Sequence, residues 1–298
     1  MSKKIGFIGL GIMGKPMSKN LLKAGYELVV CDISQSSVDE LVAAGATAAS
    51  TPREVAEQTE IIFTMLPNSP QVKDVVLGKN GVMEGARPGS IVVDLSSIAP
   101  LVSQEVAAKL AEKNIRMMDA PVSGGEPKAI DGTLSLMVGG IQTDFDECAP
   151  ILEKMGSSVV LVGKIGAGNV TKLANQIIVA INIAGVSEAL ILATKAGVDP
   201  ELVFHAIKGG LAGSTVLNAK APLILDRKFD PGFRINLHIK DLGNVLETSH
   251  EVGVSLPLTA AVMEIMQALK VDGLGNADHS AIVRYYEKMA QVEVTRKK

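Results

Sequence analysis

Aromatic residues are scarce in this chain, which has no Trp, three Tyr and six Phe among 298 residues. Proteins that bind single-stranded nucleic acid commonly stack the bases on aromatic rings. The net charge is −3, and basic residues cluster only in the terminal RKK segment. A basic stripe that would attract phosphates or an anionic membrane is therefore missing. The composition predicts no nucleic-acid partner.

Cysteine and histidine are also few. The two cysteines, Cys31 and Cys148, have no C-x-x-C spacing and no nearby His. The four histidines are His205, His238, His250 and His279. They show no metal-ligand spacing, so a structural role is the better interpretation and no metal site is predicted. Two isolated cysteines are typical of free thiols in a reducing, cytoplasmic compartment.

Long uninterrupted apolar runs are absent. None reaches the ~18 residues that a membrane-spanning helix needs. The N-terminal stretch IGFIGLGIMG follows two lysines, but four glycines interrupt it and no cleavage site follows. The longest apolar helical stretch lies after residue 176 and is broken by Asn182, Ser187 and Glu188. We therefore predict neither a signal peptide nor a membrane span, and we interpret that stretch as a core helix.

What the chain does contain is an alternation of short apolar runs with amphipathic segments, from residue 4 to residue 163. The runs read KIGFIG, ELVVCD, EIIFTML, SIVVDLS, IRMMDAP, TLSLMVGG and SVVLVG. This alternation is typical of βαβ units around a mostly parallel sheet. After GKIGAG no further convincing strand follows. We predict an α/β domain over residues 1–163 and an all-helical domain over residues 164–298.

A glycine pattern follows the first predicted strand. Gly9, Gly11 and Gly14 form G-x-G-x-x-G, with Ile12 and Met13 before the last glycine, and a helix is predicted to begin there. The first glycine permits a tight turn, the second lets a pyrophosphate approach the backbone, and the third allows close helix–strand packing. In this βαβ context the pattern predicts a Rossmann-type dinucleotide-binding domain.

An acidic residue ends the second predicted strand. Asp32 lies 18 residues after Gly14 (32 − 14 = 18), close to the ~20 expected for a carboxylate that binds the adenosine ribose. Such a carboxylate repels a 2′-phosphate, and Ile33 and Ser34 supply no cation. The cofactor is therefore predicted to be NAD(H) by preference, with some use of NADP(H). The alternative makes Asp32 a turn residue or a cap for the next helix.

Two more strand ends could flank the cofactor. Leu66 and Pro67 follow the EIIFT run, and Ser97 follows the IVVD run. Ligands of open α/β sheets bind at the carboxyl ends of strands. Ordinary βα loops explain these residues about as well, and both interpretations stay open.

A second glycine-rich stretch, DAPVSGGEPKAIDGTLS, follows an apolar strand. Ser123, Gly124 and Gly125 offer a hydroxyl and approachable backbone N–H groups, a combination suited to a small carboxylate. The alternative is a surface turn without a ligand.

Four ordered motifs now define a resemblance: G-x-G-x-M-G-x-P, DAPVSGG-x-x-x-A-x-x-G-T-L, GAG-x-x-x-K and HIKDL. The chain resembles the β-hydroxyacid dehydrogenase family, to which the 3-hydroxyisobutyrate dehydrogenases belong. The resemblance implies an NAD(P)-dependent oxidoreductase, a small carboxylate semialdehyde or hydroxy acid as substrate, and a homo-oligomer, dimer or tetramer. The phrases MLPNSP, SGGEPKAIDGTLS and GAGNVTKLANQ are closest to the branch that reduces tartronate semialdehyde to D-glycerate.

The resemblance also assigns roles in the GAGNVTKLANQ segment. Lys172 matches the family's catalytic lysine, which acts as general acid in reduction. By itself it would be interpreted as a surface lysine at a helix start. An amide near it orients the substrate in the family, and both Asn175 and Gln176 share the lysine's helix face. Asn175 is the prediction and Gln176 the alternative.

The GFRINLHIKDL segment resembles the family's second lysine motif. The resemblance places Lys240 near the nicotinamide, Asp241 in the surrounding network and Phe233 near the substrate. Without it, Lys240 and Asp241 would be interpreted as a solvated pair on a helix.

Overall fold

The computed structural model describes residues 4–296. By internal contacts the chain separates into two compact units, Met1–Lys172 and Leu173–Lys298. The division falls inside the helix Ala167–Lys195. The boundary predicted between residues 163 and 164 lies just before that helix.

The first unit is built on one sheet. Its strands are β1 (Lys4–Ile8), β2 (Glu27–Cys31), β3 (Thr47–Ala48), β4 (Ile61–Thr64), β5 (Ile91–Asp94), β6 (Arg116–Asp119), β7 (Val122–Ser123), β8 (Leu134–Gly139) and β9 (Gly156–Gly163). The order is β3-β2-β1-β4-β5-β6-β8-β7, with β9 paired to β8. The first six strands are parallel and run in the doubly wound order 3-2-1-4-5-6. The predicted Rossmann-type α/β architecture is confirmed.

All seven predicted runs form strands. The strands β3 and β7, of two residues each, were not predicted, because so short a segment carries no periodic pattern. β7 turns the chain into an antiparallel pair with β8, and β8 also meets β6 antiparallel. The sheet is therefore mostly, but not wholly, parallel.

Alternate residues of the central strands enter two separate cores. Phe7 and Phe63 belong to one buried cluster, whereas Ile8 and Ile62 belong to the other. Each strand is buried on both faces because helices cover both sides of the sheet, which explains the nearly continuous apolar runs. The helices of this unit are α1 (Gly14–Lys23), α2 (Gln35–Ala43), α3 (Pro52–Gln58), α4 (Ser69–Leu77), α5 (Val82–Gly85), α6 (Pro100–Ala111), α7 (Gly125–Asp131) and α8 (Gln142–Leu152).

The second unit is helical. Its helices are α9 (Ala167–Lys195, which begins in the first unit), α10 (Pro200–Ile207), α11 (Thr215–Leu225), α12 (Ile235–Glu251), α13 (Pro257–Leu269) and α14 (Val283–Ala290), with a π-helical turn at Lys270–Leu274 and a 3₁₀ turn at His279–Ile282. Within the described residues its β-structure is one isolated bridge between Arg234 and Asp278. The predicted all-helical C-terminal region is confirmed.

The long helix α9 is not buried all round. Ile183 and Leu190 lie in the helical cores, but Ile178 and Leu192 are 61% and 72% exposed. Only 33% of its most apolar 18-residue window is buried, and by length and composition alone it could cross a membrane. The interpretation as a core helix therefore holds for one face only. The sequence hides this difference because both faces are apolar.

Candidate active site

The glycine turn sits where the strand order reverses, between β1 and β4. Gly9 has φ +97° and hydrogen-bonds through its N–H to the carbonyl of Cys31. A Cβ at Gly9 would overlap the carbonyl oxygen of Met65, and a Cβ at Gly14 would overlap the carbonyl oxygen of Gly9. Both glycines are therefore required by packing within the chain.

Gly11 differs from these two. A Cβ placed there would meet no atom of the chain within 4 Å. Ile12 is 53% exposed beside it, and Met13 is half-buried. Internal packing thus gives no reason for glycine at position 11, whereas close approach of a pyrophosphate does. These residues fit a dinucleotide.

Asp32 follows β2 and accepts hydrogen bonds from two backbone N–H groups. Its Oδ2 accepts a hydrogen bond from the Leu10 N–H in the glycine turn at 2.5 Å, and its Oδ1 accepts from the Ser34 N–H at 2.7 Å. The second bond is a local turn, as the alternative interpretation expected. A carboxylate has about four acceptor positions. Two therefore remain for ribose hydroxyls, and the ribose role stays a prediction.

The loops after β4 and β5 are bonded to each other. The Leu66 N–H donates to Ser96 Oγ at 2.8 Å, and Asp94 Oδ1 accepts from Thr64 Oγ1 at 2.8 Å and from the Ser96 N–H. Pro67 is exposed and Ser97 is half-buried at the same strand ends. The two predicted cofactor-flanking loops therefore form one bonded pair, anchored on a buried aspartate.

The Ser123–Gly125 segment turns sharply at the end of β7. Gly124 and Gly125 have φ values of +140° and +70°, which only glycine adopts without strain. Ser123 is half-buried and pairs in register with Ser135 of β8. The turn leads directly into α7, and its binding of an anion stays a prediction.

Lys172 is buried, with 7% of its surface exposed. It lies in the second turn of α9, whose start is held by two buried side chains. Asp119, at the end of β6, accepts from the Gly166 N–H at 2.7 Å and from the Asn169 N–H at 2.6 Å. Asn169 in turn accepts from the Ile98 N–H at 3.0 Å. The interpretation of Lys172 as a surface lysine is excluded by its burial.

Two carboxylates of this unit have unusual acidities. Burial raises the pKa of both Asp94 and Asp119 to about 6, although hydrogen bonds from N–H and hydroxyl groups act in the opposite direction. They are register partners on neighbouring strands. Both end strands at the edge where ligands of such sheets bind.

In the helical unit, the predicted amides and the second lysine motif share one network. Asn175 Nδ2 donates to Gln176 Oε1 at 2.8 Å, and the buried Gln176 donates through Nε2 to Asp241 Oδ2 at 2.5 Å. Asp241 Oδ1 lies 2.8 Å from Lys240 Nζ. Asp241 is 2% exposed, so the interpretation of Lys240 and Asp241 as a solvated pair is wrong. Gln176 is engaged at both ends of its amide.

Phe233 precedes α12 and is packed edge-on against two histidines. Its ring centroid lies 5.6 Å from that of His238 and 5.2 Å from that of His279. The two histidines meet through Nδ1 atoms 3.0 Å apart, and His238 Nε2 lies 3.4 Å from the Gln176 carbonyl oxygen. Asp278 accepts from the Phe233 N–H at 2.9 Å. These histidines are structural neighbours of predicted site residues. Within residues 4–296 no group of three or more His, Cys, Asp or Glu is placed to hold a metal ion.

Comparison with known proteins now identifies the family. Residues 4–163 match the family model for the NAD-binding domain of 6-phosphogluconate dehydrogenase, and residues 166–286 match that for the NAD-binding region of NADP-dependent 3-hydroxyisobutyrate dehydrogenase. The chain is 45% identical over 287 residues to 2-hydroxy-3-oxopropionate reductase of Escherichia coli, covering 96% of this chain and 98% of that protein.

Two further relatives cover almost the whole chain. The 2-(hydroxymethyl)glutarate dehydrogenase of Eubacterium barkeri is 40% identical over 295 residues, which is 99% of this chain and 98% of that protein. The structure of Mycobacterium tuberculosis 3-hydroxyisobutyrate dehydrogenase with L-serine superimposes with a TM-score of 0.89 at 29% identity, covering 96% and 99% of the two chains.

The chain belongs to the β-hydroxyacid dehydrogenase family. It is an NAD(P)-dependent oxidoreductase acting on a hydroxy acid, and the fold and cofactor class implied by the sequence motifs are confirmed.

Sequence reasoning missed several residues that contact predicted site residues or the segments that carry them. Asp119 and Asn169 bond the start of α9, while His238, His279 and Asp278 surround Phe233. Asp119 lies within the quoted DAPVSGG motif, so its position at a strand end was a usable signal. The contacts of Asp278 with the Phe233 segment join residues 45 positions apart, and no local pattern predicts them.

Proposed function

We propose that this enzyme is an NADH-dependent reductase that converts tartronate semialdehyde (2-hydroxy-3-oxopropanoate) to D-glycerate. The observation that carries the proposal is the buried Lys172 in a unit that also presents the glycine turn and the Ser123–Gly125 turn. The 45% identity to the E. coli reductase over nearly the whole chain supports the choice of substrate.

The reduction needs one hydride and one proton. Bound NADH supplies the hydride to the aldehyde carbon. Lys172, as an ammonium, donates its proton to the carbonyl oxygen, so the C=O double bond becomes a CH–OH group and no free alkoxide forms. Before transfer its charge polarises the carbonyl. Burial strengthens that interaction, because the dielectric around the group is low.

We infer that three parts of the chain orient the substrate. The N–H groups of Gly124 and Gly125 and the Ser123 hydroxyl would hold the carboxylate of the semialdehyde. Asn175 would orient the substrate by hydrogen bonding, and its amide is tied to Gln176. Phe233 would pack against the substrate, and its position is set by His238 and His279.

The preference for NADH over NADPH is part of the proposal. Asp32 is bonded to the glycine turn, which fixes a negative charge beside the predicted ribose position. Leu66, Pro67 and Ser97 would line the cofactor from the neighbouring strand ends, and Lys240 with Asp241 would approach its nicotinamide end.

The rival substrates come from the same family. A 3-hydroxyisobutyrate dehydrogenase or another short β-hydroxyacid dehydrogenase would share the lysine and both glycine turns. A function of another class, a non-catalytic dinucleotide-binding module, lacks support because the buried lysine and the Ser123–Gly125 turn are both in place.

A substrate panel at fixed NADH tests the proposal. Purified enzyme is assayed by NADH absorbance with tartronate semialdehyde, methylmalonate semialdehyde and 2-formylglutarate, and in the oxidative direction with L-serine. The highest kcat/KM is expected for tartronate semialdehyde. A higher value for another compound would reassign the substrate, and no turnover of any compound with intact NADH binding would support the non-catalytic module.

We also infer a cytoplasmic homo-oligomer, dimer or tetramer. Ile178, Gly185 and Leu192 recur every seven residues along α9 and are all exposed, so they form one apolar face. Heptad spacing of small and apolar residues suits packing against another helix. Light scattering of the wild type and of Ile178→Asp measures the molar mass in solution. The wild type should have a mass above that of one chain, and the variant should have a lower mass than the wild type.

A further inference from the structure

The start of α9 lacks a capping side chain of its own. The residue before the helix is Gly166, which has φ +91° and no side chain to accept from the N–H groups of the first turn. A helix start leaves these N–H groups without intrahelical partners. In a capping box, one side chain bonds the N–H of the third helical residue and another bonds the N–H of the preceding cap residue.

Asp119 makes both of these bonds from a different element. Its Oδ2 accepts from the N–H of Asn169, the third helical residue, and its Oδ1 accepts from the N–H of Gly166. The carboxylate is completely buried. One side chain at the end of β6 therefore does the work of a two-residue capping box, and it ties the helix directly to the sheet.

The surrounding glycines show how closely the two elements approach. A Cβ at Gly139 would overlap Asp119 Oδ1, and a Cβ at Gly168 would lie 2.9 Å from Asp119 Oδ2. Asn169 adds two bonds on the other side, from the Ile98 N–H and to Ser103 Oγ at 3.1 Å. The first turn of α9 is thus bonded to the end of β6, to the loop after β5 and to α6.

We propose that Asp119 is the positioning residue of Lys172: it caps and anchors the first turn of α9 and so fixes the lysine relative to the Ser123–Gly125 turn. Both are placed by β6 and the residues that follow it. Lys172 comes three residues after Asn169, one helical turn along the same face. The inference rests on the proposed function, because it assumes that Lys172 is the proton donor.

The charge of Asp119 gives it a second effect. A carboxylate at a helix N-terminus offsets the positive end of the helix dipole, which otherwise disfavours a protonated lysine in the early turns. Asp119 also acts on Asp94, its register partner on β5, where its charge helps to raise the pKa of that carboxyl. Removing the Asp119 charge should therefore make Lys172 release its proton at lower pH.

Asp94 provides a matched control. It is equally buried, ends the neighbouring strand in register with Asp119 and has the same direction of pKa shift, but its bonds go to Thr64 and Ser96 rather than to α9. Asp119→Asn and Asp94→Asn are thus the same isosteric change in two comparable places.

The experiment measures kcat, KM, the pH dependence of kcat and NADH binding by fluorescence for wild type, Asp119→Asn and Asp94→Asn. For Asp119→Asn we expect kcat to fall about 10- to 100-fold, since small displacements of a catalytic group cost that much. The alkaline decline of kcat should move by about half a pH unit or more to lower pH. NADH affinity should stay within about twofold. Asp94→Asn should leave the pH dependence of kcat unchanged, and any loss should be confined to the affinity for NADH.

Two measurements keep the result interpretable. Hydrogen exchange should accelerate in the peptide covering residues 164–172 of Asp119→Asn and not of Asp94→Asn. Ser103→Ala, a milder change that removes only the outer bond of Asn169, should lower kcat a few-fold without altering NADH affinity. If Asp119→Asn does not fold, the kcat of Ser103→Ala alone tests the inference.

The inference is overturned if Asp119→Asn keeps kcat and its pH profile, or if both asparagine variants lose kcat equally with no pH shift. It is also overturned if Ser103→Ala keeps the wild-type kcat when the asparagine variant cannot be studied. Near-normal kcat in Lys172→Ala would instead overturn the proposed function. The two failures are therefore distinguishable.

Discussion

The two units of this enzyme bury carboxylates in opposite electrostatic surroundings. In the α/β unit, burial raises the pKa of Asp94 and Asp119 to about 6, and their hydrogen-bond donors are backbone N–H groups and hydroxyls. In the helical unit, burial acts on Asp278 as well, but the charges of His279 and Lys220 together with two backbone N–H groups lower its pKa to about 2.

The difference shows two ways of fixing functional backbone. The α/β unit uses carboxylates to hold loops at strand ends, where ligands need N–H groups and open space. The helical unit uses an ion pair, Lys220 with Asp278 at 3.0 Å, to hold the segment that carries Phe233. The first arrangement tolerates a costly buried charge near the site, and the second neutralises it.

The largest expected effect tests which unit supplies the proton donor. Lys172→Ala should lower kcat about 10²- to 10⁴-fold, because a general acid is lost while the glycine turn and Asp32 remain. Lys172→Arg should recover little, since a guanidinium keeps the charge but is a poor proton donor. NADH binding by fluorescence should be preserved in both.

Lys240→Ala is the matched control in the helical unit. Because Lys240 pairs with Asp241 and is predicted to lie at the cofactor, its loss should act more on the KM for NADH than on kcat. If kcat stayed near normal in Lys172→Ala but fell strongly in Lys240→Ala, the proton donor would belong to the helical unit. The assignment of different roles to the two lysines would then be wrong.

Much of the α/β unit could be predicted from the sequence because its signals are local. Gly14 needs glycine because of an atom five residues away, and Gly9 and Gly124 have positive φ values that favour glycine. The apolar runs reveal their strands because both faces are covered. Asp119 was visible in the same motif, although its bonds to α9 span 47 and 50 residues.

The helical unit was less predictable because its contacts are distant and its helices are apolar on more than one face. The bond from Gln176 to Asp241 joins residues 65 positions apart. Family resemblance supplied Lys240 and Asp241, but neither periodicity nor spacing could show that Gln176 would be engaged at both ends. The exposed face of α9 was likewise hidden by its composition.

The second prediction concerns the ion pair of the helical unit. Lys220→Met leaves Asp278 buried without one of its cations, and breaking such a pair typically costs about 3–5 kcal/mol. The pKa of Asp278 is depressed in the folded state, so its contribution to stability is present above pH ~4 and is lost as pH falls toward ~2. The difference in unfolding midpoint between variant and wild type should therefore shrink over that range.

Lys228→Met serves as the control for this change. The Lys228 side chain is 68% exposed, and its Nζ lies 3.8 Å from Asp226 Oδ2. The loss of this surface pair should therefore change the free energy of unfolding by no more than about 0.5 kcal/mol. Thermal unfolding followed by circular dichroism measures both variants. An equal effect of the two substitutions would show that Asp278 does not depend on Lys220.

The third prediction tests cofactor choice in the α/β unit. The wild type should use NADH with a higher kcat/KM than NADPH, because Asp32 repels a 2′-phosphate. Asp32→Asn keeps an acceptor for the Leu10 N–H but removes the charge, so the ratio of the two kcat/KM values should fall about tenfold. A wild-type preference for NADPH would refute the ribose assignment.

The smallest expected effect isolates the cost of a buried charge in the α/β unit. Asp94 Oδ1 accepts from Thr64 and Ser96, whereas its Oδ2 has no hydrogen-bond partner among the described residues. Asp94→Asn can keep both bonds to Oδ1 and removes the charge. Since the folded-state pKa of Asp94 is raised to about 6, the folded protein binds a proton more tightly than the unfolded chain does. Its carboxylate therefore costs no stability below pH ~4 and costs most above pH ~6. The free energy of unfolding of the variant should match that of the wild type near pH 4 and exceed it by about 1–3 kcal/mol at pH 7, measured by thermal unfolding across this range. If this difference in free energy narrowed as pH rises, the upward shift of the Asp94 pKa would be contradicted. The contrast between Asp94 and the ion-paired Asp278 would then be lost.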